Sequence, residues 1–143
     1  MSVDVKYAVE ARASGNGRDG RTMLKDGTMD LRLTMPRELG GPGGDGANPE
    51  KLFAMGYAAC YLSALRVAAQ QQKLRLPDEA SVDVRIGIGP RSEGGFGITA
   101  ALAVHLPGVD PAEAWRLVEV THGICPYSNA LRGNVDLPTE VRT

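Results

Sequence analysis

The stretch from residue 48 to residue 69, NPEKLFAMGYAACYLSALRVAA, constrains the fold most. Asn48 can cap a helix, Pro49 suits the first helical position, and Glu50 suits the positive end of the helix dipole. Strong helix formers follow, with small or apolar residues around nearly the whole circumference and charge confined to the two ends. This pattern predicts a long central helix that other elements surround, with Cys60 near its middle.

The rest of the composition fits one ordinary domain over residues 1–143, long enough to bury a core without disulfides or metals. A net charge of −1 without a block of like charges argues against a nucleic-acid or membrane-surface partner. No apolar segment opens the chain, and no apolar run is expected to approach the roughly 20 residues of a membrane span. We therefore expect a soluble, cytoplasmic protein, whose two cysteines are either core residues or a working thiol pair.

Strands and helices are predicted in blocks rather than in strict alternation. The order is strand, strand, strand, helix, strand, strand, helix, short helix, strand. The corresponding stretches are residues 3–9, a hairpin over 21–35, the central helix, 82–88, 98–106, a helix opened by Asp110-Pro111, a short helix from Pro126, and 135–141. Such an order predicts an α+β fold with a largely antiparallel sheet.

Three glycines near the N-terminus imitate a dinucleotide-binding loop. Gly15, Gly17 and Gly20 have the G-x-G-x-x-G spacing, but that interpretation requires a helix directly afterwards. The predicted hairpin follows instead, so we interpret the spacing as coincidental.

The central helix also predicts an oligomer. A single sheet covers only one face of a helix that is apolar on all sides. A homodimer that brings a second helix and a second sheet would cover the other face.

Two cysteines, one arginine and one glutamate are the candidates for chemistry. A cysteine reacts as its thiolate, so a working thiol needs a cation or a helix N-terminus beside it. Cys125 precedes Pro126, at the position of a helix N-cap, whereas Cys60 lies in mid-helix and would need a cation from elsewhere. Arg18, on a glycine-rich loop, could supply a permanently charged fork of donors, and Glu50 could hold that fork in place.

Each candidate also has a purely structural interpretation. Free cysteines are commonly buried, so Cys60 or Cys125 could be core packing. Arg18 could be a solvated loop residue and Glu50 a helix-dipole residue. His122 and Cys125, spaced as H-x-x-C, could be half of a zinc site, although no second pair of ligands stands at short spacing. The residues alone thus predict an α+β domain in which a thiol pair is one alternative.

Several long motifs, in order, resemble those of the organic hydroperoxide resistance proteins, which belong to the osmotically inducible protein C superfamily. The resemblance runs from the loop at residues 15–20 almost to the C-terminus. It is carried by PRELGG at 36–41, NPE at 48–50 with LFA at 52–54, GYAAC at 56–60, CPYSNA at 125–130 and RGN at 132–134.

The resemblance implies a thiol peroxidase without metal, haem or flavin. Cys60 would be the peroxidatic cysteine and Cys125 the resolving one, with Arg18 and Glu50 activating Cys60 and orienting the peroxide. The resulting Cys60–Cys125 disulfide would be reduced by dihydrolipoyl groups on lipoylated proteins. The family resemblance also implies an intertwined homodimer in which sheets wrap two central helices, and a role in protection against organic peroxides.

The spacing of Glu50 and Cys60 adds a constraint. Ten residues of continuous helix correspond to about 15 Å of rise and roughly 80° of rotation, so Glu50 would not touch Cys60 of its own chain. Either each site combines residues of both subunits, or the helix breaks near Gly56. Two rival functions stay open: a thiol sensor or ligand-binding scaffold without turnover, and a general hydroperoxidase of the sister branch.

Overall fold

The computed structural model describes all 143 residues and confirms the predicted α+β element order. The first half contains the three strands β1 (Ala11–Gly15), β2 (Gly20–Leu24) and β3 (Asp30–Arg32), followed by a single 3₁₀ turn at Arg37–Leu39. The elements that follow are α1 (Pro49–Gln71), β4 (Ser81–Pro90), β5 (Phe96–His105), α2 (Pro111–Ile124), α3 (Pro126–Leu131) and β6 (Thr139–Arg142).

The chain divides into two compact units, Met1–Pro49 and Glu50–Thr143. Correspondingly, the six strands form two three-stranded sheets rather than one, in the orders β1-β2-β3 and β4-β5-β6. One domain over residues 1–143 stays a prediction.

All strand pairs are antiparallel except β5 and β6, which run parallel from the pair Leu102–Thr139. Helices α2 and α3 lie in the connection between these two strands. A connection of that length returns the chain to the same end of the sheet, as a parallel strand requires.

The predicted first strand over residues 3–9 was wrong, because these residues lie outside every strand. β1 begins only at Ala11, which pairs with Leu24 at the end of β2. The chain then turns at Gly27 (φ +79°) before β3, so no strand of this chain faces residues 3–9. Their apolar side chains are all exposed: Val3, Val5, Tyr7 and Val9.

The three early glycines lie at the turn of a β1–β2 hairpin, and the hairpin predicted over residues 21–35 follows it as β2 and β3. Gly15 (φ +76°) and Gly17 (φ +65°) adopt the left-handed conformation in the β1–β2 connection. A Cβ atom at Gly20 would clash with the Ser14 carbonyl oxygen. The glycines therefore serve a tight turn and a close strand contact.

Helix α1 is unbroken from Pro49 to Gln71, so the alternative of a break near Gly56 was wrong. Its buried face consists of Tyr57, Tyr61, Ala64, Leu65, Ala68 and Ala69. The opposite face, here called the exposed stripe, consists of Met55, Ala59, Ser63, Arg66 and Val67. This chain therefore covers only one face of a helix that is apolar on both.

The expectation about membrane spans was also wrong for α1. The helix is long and apolar enough to cross a membrane by length and composition, a property that core helices of soluble proteins share. Arg66 is the only charged residue between Leu52 and Gln71. One charge in a stretch of this length does not lower its hydropathy enough to exclude a membrane span.

The core of the second unit forms where the buried face of α1 meets the inner sides of β5 and α2. β5 contributes alternate residues such as Leu102 and Val104, and α2 contributes Leu117 and Val118. Asp110 caps α2 by accepting hydrogen bonds from the backbone N–H groups of the first turn, as its position before Pro111 predicted. This packing fixes the C-terminal end of α2, which carries the residues described next.

Candidate active site

The two cysteines, 65 residues apart in sequence, meet in the second unit. Their sulfur atoms are 3.9 Å apart, and the Cys125 thiol is oriented to donate to the Cys60 sulfur. Both are free thiols. Cys60 lies on α1 and is half-buried, whereas Cys125 is completely buried. The pair is thus one accessible thiol in contact with one inaccessible thiol.

Cys125 is the junction residue between α2 and α3, as its position before Pro126 predicted. Its N–H donates to the Thr121 carbonyl (2.8 Å), and its carbonyl accepts from the Asn129 N–H (3.0 Å). Pro126 cannot continue α2 but fits the first position of α3. Because the backbone of Cys125 makes these junction bonds, its side chain is left to face Cys60.

The groups packed around Cys60 oppose its ionisation. Burial raises the pKa of the Cys60 thiol, and the charge and thiol of Cys125 raise it further. The backbone N–H of Tyr127, which donates to the Cys60 sulfur, lowers the pKa by a smaller amount. A reactive Cys60 therefore needs a cation that these groups do not supply.

Aromatic side chains line the segment of α1 that precedes Cys60. The Tyr127 ring stacks on Phe53, with centroids 5.6 Å apart, and lies 5.7 Å from the Tyr57 ring. Gly56 makes room for it, since a Cβ there would lie 3.2 Å from the Tyr127 hydroxyl. The glycine that suggested a helix break thus provides space for a ring.

Arg18 and Glu50 occupy the positions that the sequence suggested. Arg18 lies half-buried in the β1–β2 connection, and Glu50 lies half-buried in the first turn of α1. Because α1 is continuous, Glu50 and Cys60 of one chain are separated by about 15 Å along the helix axis. The catalytic roles of Arg18 and Glu50 stay predictions.

His122 makes contacts that the sequence did not indicate. No group of three or more His, Cys, Asp or Glu side chains could hold a metal ion. Both ring nitrogens of His122 instead lie against hydroxyls, Nδ1 3.0 Å from Ser128 Oγ and Nε2 2.9 Å from Thr139 Oγ1. Ser128 Oγ lies in turn 2.8 Å from the Tyr57 hydroxyl. The only feature of the sequence that could have pointed to these contacts is Ser128, which lies in the CPYSNA motif and had no assigned role.

Comparison with known proteins identifies the family. A model described as OsmC-like protein matches residues 41–140. The organic hydroperoxide resistance protein of Xanthomonas axonopodis pv. citri is 53% identical over 93% of this chain and 92% of its own length. The chain belongs to the OsmC-like family. Within this family, organic hydroperoxide resistance protein OhrB of Bacillus subtilis is 40% identical over 95% of this chain and 98% of its own length.

Solved structures of OsmC-like proteins have the same fold. An organic hydroperoxide resistance protein from Legionella pneumophila matches with a TM-score of 0.91 and 45% identity, covering 98% of this chain and 100% of that one. OhrB of Bacillus subtilis matches with a TM-score of 0.87 and 36% identity, covering 96% of this chain and 100% of that one. The chain is therefore an OsmC-like protein of the organic hydroperoxide resistance group.

Proposed function

We propose that this OsmC-like protein is a thiol peroxidase that reduces organic hydroperoxides to alcohols and so protects the cell against organic peroxide stress. The observation that carries the proposal is the 3.9 Å contact between an accessible thiol, Cys60, and a buried one, Cys125. The names of the similar proteins support the substrate class.

The difference in burial between the two cysteines supports an order of action. Cys60 is the peroxidatic residue, because a bulky peroxide can reach it and cannot reach Cys125. The Cys60 thiolate attacks the distal peroxide oxygen, the O–O bond breaks, and the alkoxide leaves as the alcohol after taking a proton. Cys60 is then a sulfenic acid.

Cys125 resolves this intermediate. A sulfur–sulfur bond forms between the cysteines, the sulfur–oxygen bond of Cys60 breaks, and the oxygen leaves as water. The sulfurs need to close only from 3.9 Å to about 2.05 Å, so rotation of the side chains and a small backbone shift suffice.

Activation of Cys60 requires a positive charge, because burial raises the pKa of its thiol. We assign this role to Arg18, whose guanidinium can hold both the sulfur anion and a peroxide oxygen, with Glu50 orienting it. Since Glu50 and Cys60 of one chain are separated by about 15 Å of helix, Glu50 acts on the Cys60 of a partner subunit.

The aromatic residues near Cys60 explain a preference for organic peroxides. Phe53 and Tyr127, which are stacked and partly exposed, form an apolar surface on the approach to the α1 segment that carries Cys60. Each buried methylene group of a substrate contributes about 0.8 kcal/mol of binding, which hydrogen peroxide cannot provide.

The working form in this proposal is a homodimer. The exposed stripe of α1 includes Met55, which is 70% exposed, and Val67, which is 41% exposed. Residues 3–9 add a second group of exposed apolar side chains, in a segment outside every strand. A second copy that covers both features would complete the packing of the central helix.

The remaining parts of the proposal concern the cellular context. The reductant is a dihydrolipoyl dithiol on a lipoylated protein, which attacks the Cys60–Cys125 disulfide and leaves as the oxidised lipoyl disulfide. No metal or prosthetic group takes part, and the protein works in the cytoplasm as one domain.

Steady-state consumption of cumene hydroperoxide with excess dihydrolipoamide tests the function. We expect rapid turnover, slower turnover when glutathione replaces dihydrolipoamide, and lower efficiency on hydrogen peroxide. Oxidation that stops after one equivalent would instead identify a sensor or scaffold. Equal efficiency on hydrogen peroxide would favour a general hydroperoxidase.

A further inference from the structure

A chain of hydrogen bonds connects four elements around the two cysteines. It begins at the Tyr57 hydroxyl on α1, 2.8 Å from Ser128 Oγ on α3. Ser128 Oγ lies 3.0 Å from His122 Nδ1 on α2, and His122 Nε2 lies 2.9 Å from Thr139 Oγ1 on β6. The Thr139 hydroxyl donates to the Leu137 carbonyl at 3.0 Å.

The last bond determines the direction of all the others. A carbonyl only accepts, so the single hydroxyl proton of Thr139 is committed to Leu137. When His122 is neutral, Thr139 accepts from the Nε2–H group of its ring, and Nδ1 is left as an acceptor. Nδ1 accepts from Ser128, and Ser128 accepts from Tyr57. Every hydroxyl in the chain is satisfied when His122 is neutral.

The position of this chain relative to the sulfurs is specific. Tyr57 lies three residues before Cys60, within the same turn of α1. His122 and Ser128 lie three residues before and three residues after Cys125, on the two helices that meet there. The bond between His122 and Ser128 therefore closes the corner that carries Cys125. The bond between Ser128 and Tyr57 ties that corner to the turn that carries Cys60.

A second contact strengthens the same corner. The Arg132 guanidinium, at the end of α3, donates to the His122 carbonyl at 2.7 Å. His122 and Arg132 both line a cleft of about 240 Å³, which gives the imidazole a route for proton exchange with solvent. His122 is thus held through its ring and through its backbone.

We infer that neutral His122 is a positioning residue for disulfide formation, holding the α2–α3 corner and Cys125 against the turn of α1 that carries Cys60. This inference rests on the proposed peroxidase function and deepens it. Replacing the imidazole removes the acceptor for Ser128 and frees the completely buried Tyr57–Ser128 pair to reorient. The corner then samples positions in which the two sulfurs are no longer in contact.

Only the second chemical step should respond. In that step the Cys60 sulfenic acid and the Cys125 thiol form a disulfide and release water, and a 1 Å displacement of either sulfur slows such a reaction strongly. The first step involves Cys60 and peroxide alone. A slower second step prolongs the sulfenic acid, which a second peroxide molecule then oxidises to the sulfinic acid with release of another alcohol.

The experiment separates the two steps in the reduced protein. Cumene hydroperoxide is added, samples are quenched over time with dimedone, and mass spectrometry counts the trapped sulfenic acid, the disulfide and the sulfinic acid. We expect His122→Leu to slow disulfide formation about tenfold and to leave oxidation of Cys60 within about twofold of wild type.

Two further variants make the result specific. The side-chain oxygen of His122→Asn can occupy the Nδ1 position and accept from Ser128, so this variant should recover most of the disulfide rate. His105→Leu is the matched control, because His105 is the only other histidine and pairs with Asp83 on the surface of β4 and β5. We expect it to behave as wild type in both steps.

Equal disulfide rates in His122→Leu and wild type would overturn the inference, as would equal slowing of both steps or no recovery in His122→Asn. If His122→Leu does not fold, Tyr57→Phe tests the same chain from its other end. It should slow disulfide formation about threefold and leave the first step unchanged. Wild-type protein whose Cys60 is not oxidised by peroxide would refute the proposed function itself, independently of His122.

Discussion

The structure fixes the position of Cys125 with a satisfied set of hydrogen bonds, whereas the groups around Cys60 do not favour its thiolate. Around Cys125, backbone bonds define a junction of two helices, and a satisfied hydrogen-bond chain closes the corner within residues 121–139 and one tyrosine of α1. Around Cys60, the pKa of the thiol is raised by burial, and the neighbouring stripe of α1 is exposed. In the proposed mechanism, one chain therefore fixes the position of the resolving thiol, Cys125, whereas the groups packed around Cys60 do not activate it.

This difference indicates that the charge needed to activate Cys60 comes from groups other than those packed around it. A resolving thiol needs only a fixed position, which local helix geometry can supply. An activated thiol needs a charge, and Cys60 lies in mid-helix, away from either end of its own dipole. We therefore expect variants near Cys125 to affect disulfide formation, and variants of the activating groups or the exposed stripe to affect the first step or assembly.

The largest expected effect separates the two cysteines. Cys60→Ser should reduce peroxide turnover by at least about 10³-fold, because the other thiol, Cys125, is completely buried. Cys125→Ser should still react with about one equivalent of peroxide and then stop, since its sulfenic acid has no partner. Steady-state turnover and a single-turnover assay measure these outcomes. Continued turnover in Cys60→Ser would contradict the assignment.

The next largest effect concerns the positive charge that we assign to Arg18. Arg18→Ala should slow the oxidation of Cys60 about 10²- to 10³-fold at neutral pH, because the thiolate loses its cation. Burial and the neighbouring Cys125 then keep the pKa of Cys60 raised, so the rate should keep increasing at pH values where the wild-type rate is already constant.

Arg18→Lys is the matched variant for this prediction. It keeps the charge and loses the fork of donors, so it should recover the pH profile better than the rate. An unchanged pH profile in Arg18→Ala would show that another group activates Cys60.

A third prediction tests whether the exposed stripe is an interface. Val67→Glu introduces a charge on the stripe, two turns beyond Cys60, and should weaken dimer formation by at least about 2 kcal/mol, roughly 30-fold in Kd. Val120→Glu makes the same exchange on α2, where the valine is 36% exposed, and should leave the dimer intact. Sedimentation equilibrium measures both. A dimer that tolerates Val67→Glu would place the interface elsewhere.

The smallest effect is a pH dependence of stability. Burial, and then the charge of Arg132, lower the pKa of His122 in the folded chain. Between that lowered pKa and the ordinary value of about 6.5, the unfolded chain binds more protons, so stability rises with pH. The contribution is complete above about pH 6.5 and is lost as the pH falls towards the folded pKa.

Urea unfolding of the reduced protein at a series of pH values measures this contribution. His122→Asn should lack the change in this window, whereas His105→Leu should retain it. An identical pH dependence in His122→Asn would mean that the imidazole is not held neutral by the fold.

The sequence predicted the elements whose signals are local. The run of strong helix formers after Asn48 and Pro49 predicted α1, and the Cys125-Pro126 pair predicted the start of α3. The family motifs predicted that the two cysteines share one site, and their sulfur atoms are indeed 3.9 Å apart.

Other features depend on pairing between distant residues, which no local pattern reveals. Residues 3–9 alternate like a strand, but β2 ends at Leu24 and offers them no edge. The parallel direction of β6 follows from the two helices that precede it. The His122 chain requires a tyrosine, a serine and a threonine from three different elements, and such hydroxyls have no distinctive spacing in a sequence.

The most direct test of the account is a map of the sulfur chemistry after a single turnover. Reduced protein is treated with one equivalent of cumene hydroperoxide without reductant, alkylated, and analysed by non-reducing peptide mass spectrometry. The account predicts a disulfide between Cys60 and Cys125 of the same chain in nearly every molecule. Sulfinic acid on Cys60 beside an alkylated, free Cys125, or disulfides that join two chains, would contradict it.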